Sequence, residues 1–172
     1  MKLVTLIPAR MASTRFPGKP LADILGLPMI EHVRRRVMLH PLVDEAIVAT
    51  CDHEIFDIVA SNGGKAVMTS EKHSCCTDRV AEAAESIEAD VVVNVQGDEP
   101  LFDPNMLTYL LEPIQEDPEV KCSNLMAEIK SDDEFNNINE VKVVCDRNWN
   151  AMYLSREPIP SGRKTNSNDF QR

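Results

Sequence analysis

Three short apolar runs, broken by almost no polar alternation, constrain this chain more than any other feature. Lys2–Ile7 stops at Pro8, Glu45–Thr50 reads EAIVAT, and Asp90–Val95 reads DVVVNV. All three read as strands, the first buried, and the last, apolar without alternation, needs cover on both faces, the condition met inside a parallel sheet flanked by helices. The text between them supplies the helices. Pro28 stands as a first helical residue, and Ile30, Val33 and Val37 recur at helical spacing over Met29–Leu39. Asp52 is placed to cap a helix running to Ala60, which Gly63-Gly64 would end. Thr77 or Asp78 opens another to Ile87, and Pro104 opens a third to about Gln115. Ala66–Met68, Ser123–Ile129, Val141–Cys145 and Ala151–Leu154 read as further strands. The alternation predicts an α/β fold around an open, mainly parallel sheet.

The length of 172 residues suits one domain, expected over residues 1–160. Residues 161–172 turn polar and read as part of a longer loop. No apolar run is long enough to cross a bilayer, and Leu3–Ile7 is too short for a secretory signal, so a cytoplasmic protein is expected. A formal net charge of −10 argues against a broad cationic surface for nucleic acid. The five cysteines form no CxxC pair and are odd in number, which points away from a zinc knuckle or a full disulfide framework. Reduced, mostly buried thiols are expected, with Cys75 and Cys76 as packing residues.

Against that acidic background, the segment after the first strand stands out. Arg10, Arg15 and Lys19 occur within ten residues, and no acid precedes Asp23. Small residues among them, including Ala9, Ser13 and Gly18, let backbone N–H groups approach phosphate oxygens. Ligands of open α/β sheets bind beyond the carboxyl ends of strands, where this loop lies. The Walker pattern fails, since Pro20 follows Lys19, and no GxGxxG occurs. The segment is therefore either an anion site of another kind or a solvated basic loop.

Gln96-Gly97-Asp98-Glu99-Pro100 follows the DVVVNV run. It is good turn composition, yet it also sets carboxylates at the same sheet edge as the basic loop. Mg²⁺ takes one or two carboxylates together with phosphate oxygens, so Asp98 facing a triphosphate begins a metal site. His73-Ser74-Cys75-Cys76-Thr77-Asp78-Arg79 reads either as a helix cap or as a base-recognition segment, and Arg156 either as an exposed loop residue or as a fork for a substrate anion.

Taken together, IPARMASTRFPGKPLADILGLPMIEHV, EAIVATCD, HSCCTDRVAEA, VVVNVQGDEPLF, EVKVVCD and AMYLSREPIP resemble, in order, the 3-deoxy-manno-octulosonate (Kdo) cytidylyltransferases. The pairing of STRFPGKPL with VNVQGDEP carries most of that resemblance. It implies a Rossmann-like nucleotidyltransferase domain, Mg²⁺ as cofactor, CTP and a 2-keto sugar acid as partners, and a homodimer. By the same resemblance Ala9, Arg10, Ser13, Arg15 and Lys19 would hold the triphosphate. Arg79 and Gln96 would lie near the cytosine, Asp98 would bind Mg²⁺, and Arg156 would contact the sugar. Where this chain has Cys75-Cys76 the family usually has Ser-Gly, so backbone strain is expected at Cys76. The family continues well past Pro160, and an incomplete enzyme lacking its C-terminal third is expected.

The reaction so implied is an in-line attack of the sugar's anomeric hydroxyl on the α-phosphorus of CTP, with Arg15, Lys19 and Asp98 as the catalytic groups. Two alternatives stay open from the residues. One is a UTP- or dTTP-dependent sugar-1-phosphate nucleotidylyltransferase; the other is a nucleotide-binding module without turnover.

Overall fold

The computed structural model describes residues 1–12 and 16–160. The chain divides into two compact units, Met1–Glu116 and Asp117–Arg172. The first runs β1 (Leu3–Ala9), a 3-10 turn (Lys19–Leu21), β2 (Asp23–Ile24), β3 (Leu27–Pro28), α1 (Met29–Val37), β4 (Glu45–Thr50), α2 (His53–Ser61), β5 (Lys65–Met68), α3 (Cys76–Glu85), β6 (Val91–Asn94) and α4 (Met106–Glu116). The sheet order is β5-β4-β1-β6, and every neighbouring pair is parallel. The strands β2 and β3 form a separate antiparallel hairpin.

All seven residues of β1 are buried, because it is an interior strand with helices over both faces. The two-residue period sorts its side chains. Leu3 and Ile7 join Val48 of β4 under α1 (Ile30, Val33, Val37), α2 (Ile55, Val59) and α4 (Leu107, Leu111). Val4 and Leu6, with Ile47 and Ala49, pack instead on Val80 and Ala83 of α3. The unit is thus a three-layer sandwich, as the apolar strands require.

One charged cluster sits inside it. Glu31 on α1 has no exposed surface, and Arg34 closes a fork on it at 2.8 and 2.7 Å, one turn away. Arg35 adds a bond at 3.2 Å and also reaches the Asn62 side chain at the end of α2. A buried carboxylate needs such partners, and losing one side of the pair typically costs about 3–5 kcal/mol. The cluster therefore locks α1 against the end of α2.

Most elements fall where the sequence places them, with five differences. Pro28 is the N-cap residue of α1 and not its first helical residue. Asp52 is the N-cap residue of α2, but its carboxylate accepts no bond from the helix; it accepts the Met11 N–H at 2.8 Å instead. The helix α3 starts at Cys76, earlier than Thr77 or Asp78. The strand β6 lies at the sheet edge, and Val92 keeps 39% of its surface exposed, so cover on both faces is incomplete. Residues 123–129 form no strand. A strand needs a ladder partner from elsewhere, and among the described residues none pairs with this stretch, where Leu125 and Met126 are exposed.

The second unit holds α5 (Asp132–Asn136) and the antiparallel ribbon of β7 (Lys142–Cys145) and β8 (Ala151–Ser155). The Ser131 hydroxyl accepts the Glu134 N–H to cap α5. Lys142 is 1% exposed, and its ammonium donates to the carbonyls of Asn137, Glu140 and Arg156. Among the described residues no helix is long and apolar enough to cross a membrane.

Thr5 is fully buried in β1, and its hydroxyl has no hydrogen-bond partner among the described residues. Replacing it with the isosteric Val removes an unpaid desolvation cost. Thr5→Val is expected to stabilise the chain by about 1 kcal/mol, read as a higher urea midpoint; a lower midpoint would show that the hydroxyl is satisfied in solution.

Candidate active site

The site grows from a parting of two strands. The pairing of β1 with β6 ends at Leu6 and Asn94, after which the Val95 N–H still donates to the Leu6 carbonyl. The backbone of Leu6 therefore addresses β6, and by the two-residue period so does that of Pro8. Pro8 has no N–H to offer, which is tolerable only because β6 has already left the ladder. Gly97 passes the opening so closely that a Cβ there would lie 2.7 Å from the Pro8 carbonyl oxygen. Successive strands run outward on one side of β1, and β6 then returns on the other. Such a reversal opens a crevice at the carboxyl ends, where ligands of this fold class bind.

From β1 the chain enters the basic loop. Its first described residues are anchored by the bond from Met11 N–H to Asp52, and the Gly18 N–H closes the loop on the Met11 carbonyl at 3.1 Å. Gly18 has a φ of +73°, a conformation that a β-carbon disfavours. The 3-10 turn that follows presents Lys19, whose ammonium meets the Asp98 carboxylate at 2.7 Å. Both side chains are partly solvated, so this pair contributes little to stability. Its significance is that two strand ends deliver opposite charges to one point. On the far side of Asp98, Arg36 of α1 holds the Phe102 carbonyl at 2.7 Å and fixes the return of the acidic turn.

The third wall is the segment between β5 and α3. Arg79 is 3% exposed, and its guanidinium donates to the Thr69 hydroxyl. Glu82 gathers this segment by accepting the Ser70 N–H at 2.9 Å and bonding the His73 ring. Those two contacts, the Ser70 amide first, hold its carboxyl below the usual carboxylate range. Cys76 lies in the first turn of α3 and not among the positive-φ residues, so the expected strain is absent. The cysteines are less buried than expected: Cys75, Cys76 and Cys122 are exposed, Cys51 and Cys145 half-buried, and all five are free. Cys51, Cys75, Cys76 and Cys145 stand at strand or helix ends and Cys122 in an irregular stretch, where no packed layer covers them.

These walls enclose one cavity of about 740 Å³. Ala9, Arg10, Lys19, Arg79, Gln96 and Asp98 all line it. Ser13 and Arg15 lie outside the described residues. Arg156 belongs to the second unit, where its guanidinium donates to the carbonyls of Ile138 and Asn139. The lining also takes in Gly97, which the sequence offers as a turn residue, and His73, Cys75 and Cys76 of the segment that reads as a helix cap or for base recognition. Their adjacency to Asp98 and Arg79 was the available signal. Nothing in the sequence marks Thr69 or Glu82 as supports. Among the described residues no group of three or more His, Cys, Asp or Glu side chains is arranged to hold a metal ion.

A family model of cytidylyltransferases matches residues 4–172. The chain belongs to the cytidylyltransferase family. Among cytidylyltransferases similar to it, the 3-deoxy-manno-octulosonate cytidylyltransferase of Trichlorobacter lovleyi is 49% identical over 160 residues, covering 93% of this chain and 64% of that protein. The protein of the same name from Syntrophus aciditrophicus is 49% identical over 162 residues, with 92% and 65% covered. The chain thus spans under two thirds of the length of these curated relatives. A solved structure of CMP:2-keto-3-deoxy-manno-octonic acid synthetase complexed with CTP superposes with a TM-score of 0.89 at 43% identity, covering 95% of this chain and 68% of that one. The Rossmann-like, mainly parallel fold expected from the sequence is the fold of this cytidylyltransferase family.

Gly97 is where the cavity floor has least room. Because the obstacle to a β-carbon is backbone, Gly97→Ala is expected to cost about 1–3 kcal/mol in urea unfolding as Pro8 or the acidic turn shifts. An unchanged midpoint would mean that the turn already has slack.

Proposed function

We propose that this chain carries the nucleotide-binding machinery of a cytidylyltransferase that joins CMP from CTP to a 2-keto sugar acid of the Kdo class and releases pyrophosphate. The observation that carries the reading is the meeting of Lys19 and Asp98 in a cavity that also takes in Arg10, Arg79 and Gln96. A cation loop and a carboxylate at one strand parting suit a metal-bound polyphosphate better than they suit a neutral ligand. The printed names of the relatives, and the CTP in the solved neighbour, support cytidine as the base and Kdo as the acceptor.

Asp98 is a single carboxylate, which fits Mg²⁺ because that ion takes one or two carboxylates and fills its remaining positions with phosphate oxygens and water. When bound, Mg²⁺ supplies charge neutralisation and polarisation of phosphate oxygens. The chain's own residues do the rest. Ala9 and Ser13, both small, let phosphates come close to the chain, with Arg10 and Arg15 as their cations. Lys19, exchanging Asp98 for phosphate oxygen, steadies the charge that collects on the departing pyrophosphate. Arg79, held rigid by Thr69, and Gln96 face the base, and Arg156 serves the sugar acid. No side chain has to act as a covalent nucleophile; the attack of the anomeric hydroxyl is promoted by positioning. A second copy completes the working assembly as a homodimer.

The reading is tested by titrating CTP, UTP and ATP calorimetrically and by assaying pyrophosphate release with Kdo and Mg²⁺. A preference for CTP and Kdo-dependent release from CTP support it; release from UTP with a sugar-1-phosphate would replace it. Lys19→Met is expected to weaken CTP by about 1.5–3 kcal/mol, the range of a charged hydrogen bond, and CMP much less. Equal losses for both nucleotides would move Lys19 off the β- and γ-phosphates. Asp98→Asn is expected to reduce the gain in CTP affinity on adding Mg²⁺ by roughly tenfold or more, while metal-free affinity holds or improves as Lys19 is released. An undiminished Mg²⁺ effect would remove Asp98 from the metal site.

A further inference from the structure

Two groups at the cavity have no part in the proposed transfer. Cys75 and Cys76 are both free, both exposed, and both line it. Cys75 is the N-cap residue of α3. The side chain closes no capping bond, and the backbone N–H and hydroxyl of Thr77 draw its thiol below the ordinary cysteine value, against desolvation and the charge of Asp78. A thiol so placed holds more of its thiolate, the nucleophilic form, at neutral pH. The field around it favours anions, since Arg10, Lys19 and Arg79 line the cavity against the one carboxylate of Asp98. Cys76 is already engaged on its other side, where the Gln96 amide approaches its sulfur at 3.8 Å.

We propose that Cys75 is a thiol–disulfide exchange site for small anionic disulfides, and that the attached half-disulfide obstructs the nucleotide cavity. The obstruction rests on the nucleotide reading of that cavity; the exchange chemistry does not. The Cys75 thiolate attacks one sulfur of the incoming disulfide, whose S–S bond breaks as the new one forms. The other half leaves as a thiolate with the electron pair, so the disulfide is reduced as Cys75 is oxidised. Adjacent cysteines have poor geometry for a bond to each other, and Cys76 is fixed in the first helical turn. The adduct therefore persists until an external thiol removes it, and the cavity stays closed for that time.

The test exposes the reduced chain to glutathione disulfide, an anion, or to cystamine, a cation, and follows each cysteine by peptide mass spectrometry. Cys122, exposed in the other unit, is the internal reference. With glutathione disulfide Cys75 should react roughly tenfold faster than Cys122, and that ratio should fall several-fold with cystamine. Saturating CTP should slow Cys75 and leave Cys122 unchanged. The glutathionylated chain should bind CTP about tenfold more weakly, recover with dithiothreitol, and show no response to treatment in Cys75→Ser. A Cys75 that reacts no faster than Cys122, or an adduct that leaves CTP affinity intact, overturns the proposal. The nucleotide reading fails separately: reduced chain that does not bind CTP, with Cys75 still outpacing Cys122, sinks that reading and the obstruction but not the exchange. CTP binding beside a sluggish Cys75 keeps the reading and sinks the exchange site.

Discussion

Parallel strands have to separate at their carboxyl ends before anything can bind between them, and in this chain a proline and a glycine enforce the separation. Pro8 cannot donate to a continuing β6, and Gly97 is the residue whose missing β-carbon lets the departing chain pass the Pro8 carbonyl. Backbone groups that would have satisfied one another in a longer ladder face an open crevice instead. The basic loop leaves from one lip and the acidic turn from the other. Their charges face each other because the sheet divides here, and the contact between Lys19 and Asp98 is the visible result.

Everything else in the first unit steadies that opening. Asp52 forgoes the end of its own helix to grip Met11 at the root of the basic loop. Arg36 grips Phe102 beyond the acidic turn, and Glu82 draws Ser70 and His73 onto α3. Each anchor is a charged side chain satisfying a backbone group or a ring of another segment. Such bonds are stronger than neutral ones and direct in their geometry. The apolar layers provide the stiffness behind them, and the buried Glu31 with its two arginines ties α1 to the end of α2.

The sequence displays the parts of this arrangement that depend on local pattern. EAIVAT becomes β4 without a residue's difference, because an apolar run between polar flanks has one way to be buried. Lys19, Arg79, Gln96 and Asp98 share a cavity because each stands beside an element end that periodicity marks. What depends on distant partners was not legible. Asp52 looks like any helix cap until Met11 arrives from 41 residues away. Val92 of β6 looks buried until the strand proves, among the described residues, to lie at the sheet edge. Residues 123–129 carry apolar side chains enough for a strand, and among the described residues no ladder takes them. Cys75 and Cys76 look like packing residues because sequence records their apolar character and not the helix end that exposes them.

The bond from the Gly18 N–H to the Met11 carbonyl makes the basic segment a ring with a clasp. Below the clasp, Met11 is fastened to Asp52 and Lys19 begins a 3-10 turn, so both ends of the ring belong to the rigid scaffold. Loop length weighs little on closure once the ends are held, about 0.6 kcal/mol per doubling. A change in the number of residues between Met11 and Gly18 is thus insulated from the position of Lys19. The clasp and the 3-10 turn hold that cation against Asp98 whatever length of chain they enclose.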